Sequence, residues 1–408
     1  MKSARPGYKT AIILLSIFTS AGIPAQEQQQ HNPPAYQLFD LGALGGTASA
    51  GNTINNRGWV MGNANLPGDT TTHATLWRFG QKFDLGTLGG PNSSVAWPVK
   101  NNNGLISGIA ETANLDPLGE TWSCRFFFPR RTRHQCLGFV WQDGVMTALP
   151  TLGGNNGYAA GANNRGQVAG WAETTFHDPT CNPPQVLQFE PVVYGPKNGQ
   201  IQPLPTLFGD PDGAATAIND RGQVVGISGI CANAVGGLSA KHALLWNDGV
   251  PIDLGNLGGS AWHTPAAINN LGQVVGFSDL PGDNNGKNLN FHAFLWTKET
   301  GMQDLGTLPG DTISEGLGIN DEGQVVGESC ADATFSVCRA FLWQNGVMTD
   351  LNTLVPPGSL SLIFANDINS SGEITGGAFN PATGDAPAFL AVPKFGNADG
   401  RVIEKPLP

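Results

Sequence analysis

Short apolar runs of four or five residues alternate with Gly-, Asn- and Asp-rich punctuation along almost the whole chain. The clearest run, HAFLW at His292–Trp296, recurs as HATLW (73–77), HALLW (242–246) and RAFLW (339–343). Looser copies are LGFVW (137–141), EPVVY (190–194) and PAFLA (387–391). A DLGTLGG-like string follows the first six copies, and another stands alone near the N-terminus. Its Leu falls at Leu41, Leu85, Leu149, Leu204, Leu254, Leu305 and Leu351, at spacings of 44, 64, 55, 50, 51 and 46 residues. Between these strings lies INNxGQVVG, whose Asn recurs at Asn55, Asn101, Asn163, Asn219, Asn269, Asn320 and Asn369. Self-similarity at this period marks a repeat architecture.

Each string predicts a strand or a turn. QVVG and HAFLW are β-rich runs, and the Asn-Asp-Gly between HAFLW and the next run is hairpin chemistry. In INNxG the Gly three residues after the Asn suits a left-handed turn position. One unit is therefore four strands: a small-residue strand ending in IN, then QVVG, then HAFLW, then the strand ending in DLG. Four-stranded units of about 40–50 residues are propeller blades, with the small-residue strand innermost. The chain starts with a lone fourth strand, Tyr36–Leu41, and its last unit lacks one. Joining the two closes a ring and leaves no open sheet end, which an open solenoid would not achieve. The expectation is an all-β, seven-bladed β-propeller forming a single domain over residues 36–393.

Composition agrees. Of 408 residues 56 are Gly and only 13% are charged, which disfavours helices, while 40% are apolar, enough to build a core. Lys2, Arg5 and Lys9 precede an apolar run, Ala11–Phe18, and small residues up to Ala25. This predicts a signal peptide over residues 1–25, a polar linker over 26–35 and a C-terminal tail over 394–408. The protein is expected to be secreted, extracellular or periplasmic, with no membrane span. The net charge is −11; without residues 1–25 it becomes 18 − 32 = −14. Such a surface repels phosphate backbones, so nucleic acid is not an expected partner.

In HAFLW, DLGTLGG and INxxGQVVG the chain resembles the HAF-repeat family of probable extracellular bacterial proteins, over about residues 36–393. The resemblance implies secretion and a repeated β architecture; it implies no reaction and no catalytic residues. Gly119–Trp122 (GETW) touches on a sialidase-type box but lacks its Ser-x-Asp-x-Gly frame. No GxSxG, HExxH, P-loop or dinucleotide fingerprint is present.

The loops between second and third strands vary most, running from about Glu111 to Gln135 in blade 2 and Glu173 to Gln188 in blade 3. Long loops on a rigid scaffold carry function. All six cysteines fall there, and in an exported chain they read as disulfides. Proximity favours Cys124–Cys136 and Cys330–Cys338, leaving Cys181–Cys231. The repeated His73, His242 and His292, like the repeated Trp set, read as blade structure. Candidate ligand-binding residues are the acids after the second strands, Glu111, Glu173, Asp279 and Glu328, with Trp171, Trp262, His263 and Tyr158 nearby: carboxylates accept hydroxyls and rings stack on sugars. No cofactor is called for, although Asp279–Asn285 and Asp210–Gly213 offer oxygens to calcium without a complete ligand spacing. The reading is a monomeric binding or scaffold module for a polysaccharide or surface protein. The alternative is a carbohydrate-active hydrolase or lyase using acids of the same face.

Overall fold

The computed structural model describes residues 35–394, apart from 121–123, 125–126, 197–198, 233–235 and 359. The expected signal peptide, the linker up to residue 34 and the tail beyond residue 394 lie outside the described residues, as does Trp122. Seven four-stranded antiparallel sheets form the ring. Blades 1 to 6 each take four consecutive strands, beginning with Ser49–Ile54, Gly89–Ser94, Gly153–Ala162, Asp212–Ile218, His263–Ile268 and Ile313–Ile319. Blade 7 combines Ser361–Ile368, Ile374–Phe379 and Ala388–Pro393 with the N-terminal strand Tyr36–Asp40. That strand pairs Tyr36 with Pro393 and Asp40 with Phe389, so the first and last described strands share one sheet.

Turn chemistry sets the blades. All seven glycines of the INNxG turns have φ between 73° and 89°. In the outer hairpins Asp143-Gly144, Asp248-Gly249 and Asn345-Gly346 both residues have positive φ, the two-residue turn that matches strand twist. A second glycine, the one in QVVG, answers to crowding. A bulge in the innermost strands of blades 4, 5 and 6 skips one residue, Thr216, Ala266 or Leu317, and presses the preceding backbone onto the second strand. A Cβ on Gly226 would sit on the carbonyl oxygen of Ala214, and one on Gly276 on that of Thr264.

The seven repeat asparagines join the blades. Each buried Asn side chain donates to the backbone carbonyl of the corresponding Asn in the next blade. The circuit runs Asn55, Asn101, Asn163, Asn219, Asn269, Asn320, Asn369 and back to Asn55, at 2.7–3.1 Å. Its Oδ1 meanwhile accepts the N–H groups two and four residues on, as Asn219 does from Arg221 and Gln223. A second circuit runs one residue later, from Asn56 through Asn102, Asn164, Asp220, Asn270 and Asp321. Where blade 7 meets blades 1 and 2, the buried Asp367 accepts from Thr53 Oγ1, Ile54 N–H and the Lys100 ammonium. Apolar clusters fill the spaces between blades, as where Val326, Ala340 and Leu342 of blade 6 meet Leu362, Ala365 and Phe389 of blade 7.

Candidate functional site

The two faces of the ring differ. The face carrying the short hairpins is repeated from blade to blade. Its channel mouth is a cavity of about 50 Å³ whose polar groups are occupied by each other: Asn102 N–H donates to Asn164 Oδ1, Asn164 to Asp220 and Asn270 to Asp321. The repeated histidines are also structural: His73 and His292 place Nδ1 2.9 Å from Asp84 and Asp304 within their own blades. His242 does the same with Asp210, and Arg339 takes the slot in blade 6.

The opposite face carries the long loops, and those of blades 2, 3 and 4 are locked together. Glu120 of blade 2 accepts the Val186 and Leu187 N–H groups of blade 3 at 2.8 and 2.7 Å. Asp116 accepts from Asn156 Nδ2, and the Cys181–Cys231 disulfide ties the blade 3 loop to blade 4. Asn182 N–H to Ala232 O and Cys231 N–H to Thr180 Oγ1 reinforce that tie. Cys124–Cys136 and Cys330–Cys338 close the loops of blades 2 and 6.

Several candidates lie deeper than a solvent-facing rim. Glu111, Glu173 and Asp279 fall within the second strands Ile106–Leu115, Val168–His177 and Val274–Asp279, and all three are fully buried. They share one slot of the repeat, against the glycines Gly90, Gly154 and Gly259 that open each blade. Burial with such neighbours gives them local bonding roles. Glu173 accepts from Asn155 and Asn156 N–H, and Gln185 Nε2 donates to its other oxygen. Burial and the like charge of Glu120 nonetheless push its carboxyl up to about 8. Glu111 accepts from Asn92 and Thr132. Asp279 accepts only the Asn290 N–H, its Oδ2 is unpartnered, and burial pushes it up to about 7. Tyr158 and Trp171 are buried and pack on each other. His263 is buried with Nδ1 on Ser278 Oγ, and desolvation lowers it to about 4. Trp262 is half-buried, in left-handed backbone.

Glu328 is different. It lies two residues earlier in the repeat, where Cys330 takes the slot of the other three, directly opposite Glu315 on the innermost strand, and both are partly exposed. The equivalent pairs in blades 2 to 5 are Ser94/Ile109, Tyr158/Trp171, Ala214/Ile227 and Thr264/Phe277. Blade 6 thus places two carboxylates where these blades carry uncharged side chains, on the side facing blade 7. Neither receives an N–H, ammonium or guanidinium among the described residues. Desolvation raises both, Glu328 up to about 7, and the like charge raises Glu315 further. Directly opposed residues have Cβ atoms about 4.5–5.5 Å apart, so the two carboxyls can share a proton. Such a pair can accept hydroxyls, or divide into a proton donor and an ionised partner.

Glu315 escaped the sequence reading because it sits inside a small-residue strand. The signal was available: it lies five residues before the repeat Asn, as do Ala214 and Tyr158. The same count shows two extra residues in blade 2, which carry the half-buried Trp97 against the inner cluster around Tyr158 and Trp171. An amide chain, Asn366 to Asn52 to Asn63, continues the polar lining across blades 7 and 1.

Neither calcium candidate forms an oxygen cage. Asp283 accepts N–H groups of Ser260, Ala261 and Gly286, and Asp210 is bonded by Ser228 and His242. Among the described residues, the groups of three possible ligand atoms are Glu111/Cys124/Cys136 and Glu328/Cys330/Cys338. Their sulfurs are spent in disulfides.

No protein-family model matches the chain, and no curated protein does. Among solved structures, a polysaccharide lyase of the PL25 ulvan lyase family matches at TM-score 0.40 and 11% identity, over 88% of this chain and 94% of that one. The Trypanosoma rangeli sialidase matches at 0.37 and 8%, over 88% and 57%. A Xanthomonas campestris gluconolactonase matches at 0.33 and 10%, over 63% and 78%. Likeness this distant says nothing of ligand or reaction. No helix among the described residues is long and apolar enough to cross a membrane.

Proposed function

We propose that this propeller is a secreted binding module for an extracellular polysaccharide, engaged on the long-loop face. One observation carries the reading: a single face departs from the repeat, and its loops over blades 2–4 are fixed to one another by Glu120, Asp116 and the Cys181–Cys231 bridge. Rigid, elaborated loops over an invariant ring lose little entropy when a ligand docks. The resemblance to HAF-repeat proteins and the N-terminal targeting pattern support export.

A second reading, a carbohydrate-active enzyme, is favoured by the unpartnered Glu315/Glu328 pair. The two readings separate in one experiment. A panel of neutral and acidic polysaccharides is tested for retention of the protein by affinity electrophoresis, and for release of reducing ends or unsaturated products. Retention without product, unchanged in Glu328→Gln, supports binding alone. Product formation that Glu315→Gln or Glu328→Gln abolishes replaces it with catalysis, and failure to retain any polysaccharide refutes both.

A further inference from the structure

The chain is acidic overall, yet the stretch Cys124–Cys136 (CRFFFPRRTRHQC) holds four arginines and no carboxylate. With a net charge of −11 for the whole, the rest of the chain carries −11 − 4 = −15. Averaging charge over the sequence hides this reversal. Arg130, Arg131 and Arg133 are exposed, and none has an acidic partner within 4.0 Å among the described residues. Three unpaired guanidiniums on a protein with 32 acids are not explained by its own ion pairing.

The loop that presents them is held from several sides. Cys124 and Cys136 close it, and Thr132, between the arginines, bonds the buried Glu111. The Arg133 carbonyl accepts the Asp116 N–H at 2.9 Å, with Arg133 itself in left-handed backbone at φ 63°. Phe128 is buried, and the Phe127 ring stacks on Tyr158 with centroids 5.3 Å apart. The backbone is therefore anchored to blades 2 and 3 while the guanidiniums stand in solvent. Anchoring of this kind reduces the ordering cost of binding.

We propose that this loop is an anion-recognition site and that the polysaccharide bound on this face is an acidic one, carrying carboxylate or sulfate groups. The inference rests on the polysaccharide reading above and names its substrate class. Guanidinium is the side chain suited to these groups, because its planar fork pairs two N–H donors with two oxygens of one carboxylate or sulfate. The surrounding negative charge selects among polyanions. A duplex with a charge every ~1.7 Å is repelled by the rest of the surface, whereas an acidic glycan carries its charges at most a few per sugar ring.

The test uses the exported chain and two acidic probes, polygalacturonate and a sulfated galactan, with fully methyl-esterified polygalacturonate and dextran as neutral counterparts. A single-stranded oligonucleotide and phosphatidylglycerol vesicles are run in parallel. The expected result is binding of at least one acidic glycan, weakened by salt, with the neutral counterparts bound about tenfold or more weaker. Replacing Arg130, Arg131 and Arg133 by Gln together should lower that affinity about tenfold or more without moving the melting temperature. Arg131→Gln alone, with a smaller loss, serves should the triple variant misfold. Equal affinity for ester and acid, an unchanged affinity in the variants, or tighter binding of oligonucleotide or vesicles overturns the proposal. If dextran or the ester is bound well and the variants are indifferent, the acidic class falls while polysaccharide binding stands. If no glycan is bound, the polysaccharide reading itself has failed.

Discussion

Asn219→Ala tests the idea that the asparagine circuit, rather than apolar packing alone, holds neighbouring blades in place. The side chain is buried and makes four hydrogen bonds: Nδ2 to Asn269 O at 3.0 Å and to Gln223 Oε1 at 2.8 Å, and Oδ1 from the N–H groups of Arg221 and Gln223, each at 3.0 Å. Alanine removes all four and leaves their partners behind. A buried hydrogen bond is worth about 0.5–1.5 kcal/mol net, and a stranded buried partner costs about 1–3 kcal/mol. The small polar cavity beside Asn219 and Asn269 lets water repair part of the loss. The expected destabilisation is then about 3–4 kcal/mol, a large share of the ~5–15 kcal/mol typical of a folded domain. Chemical denaturation followed by tryptophan fluorescence measures it. The control is Asn256→Ala, whose exposed side chain accepts a single bond, from Gly258 N–H; it should cost under about 1 kcal/mol. Equal losses in the two variants, or a loss for Asn219→Ala below about 1 kcal/mol, would refute the reasoning and leave the circuit a bystander of apolar packing.

Three other outcomes follow from the same geometry. Gly226→Ala places a Cβ on the Ala214 carbonyl and should cost about 2–3 kcal/mol by denaturation, whereas Gly249→Ala in an open hairpin meets no such atom and suffers only its backbone strain. Deleting residues 26–42 strips the strand Tyr36–Asp40 from Phe389–Pro393, exposing a sheet edge; light scattering should show aggregation, and a soluble protein with unchanged melting would contradict closure. Asp212, buried and beside Asp178, is pushed from 3.8 up to about 8, so it stays protonated in the folded chain while the unfolded chain ionises. A raised acid gives stability that is full below about pH 4 and lost as pH rises to about 8. Asp212→Asn should flatten that decline in denaturation midpoints measured at pH 5 and pH 9, and identical slopes in both proteins would discredit the assignment.

Local chemistry made most of the fold legible. Asn-Asp-Gly and INNxG admit few backbone conformations, so each copy announces its own hairpins, and seven copies announce seven blades. The orphan strand at Tyr36 and the incomplete last unit implied closure for the same reason: an unpaired edge is costly wherever it falls. What depends on neighbours in space was less accessible. The sequence placed Glu111, Glu173 and Glu328 together as acids after a second strand, but a two-residue offset in the repeat buries the first against Asn92 and Thr132 and the second against the Asn156 N–H, and sets the third opposite Glu315. A two-residue offset keeps the same face of the strand but moves the side chain roughly 6–7 Å along it, and only the assembled sheet reveals which neighbours it meets there. The asparagine circuit shows the same division. Its seven members were visible as a repeat, but the carbonyl each one bonds lies 46 to 62 residues further along, or 314 residues back across the closure, and ring geometry alone brings them together.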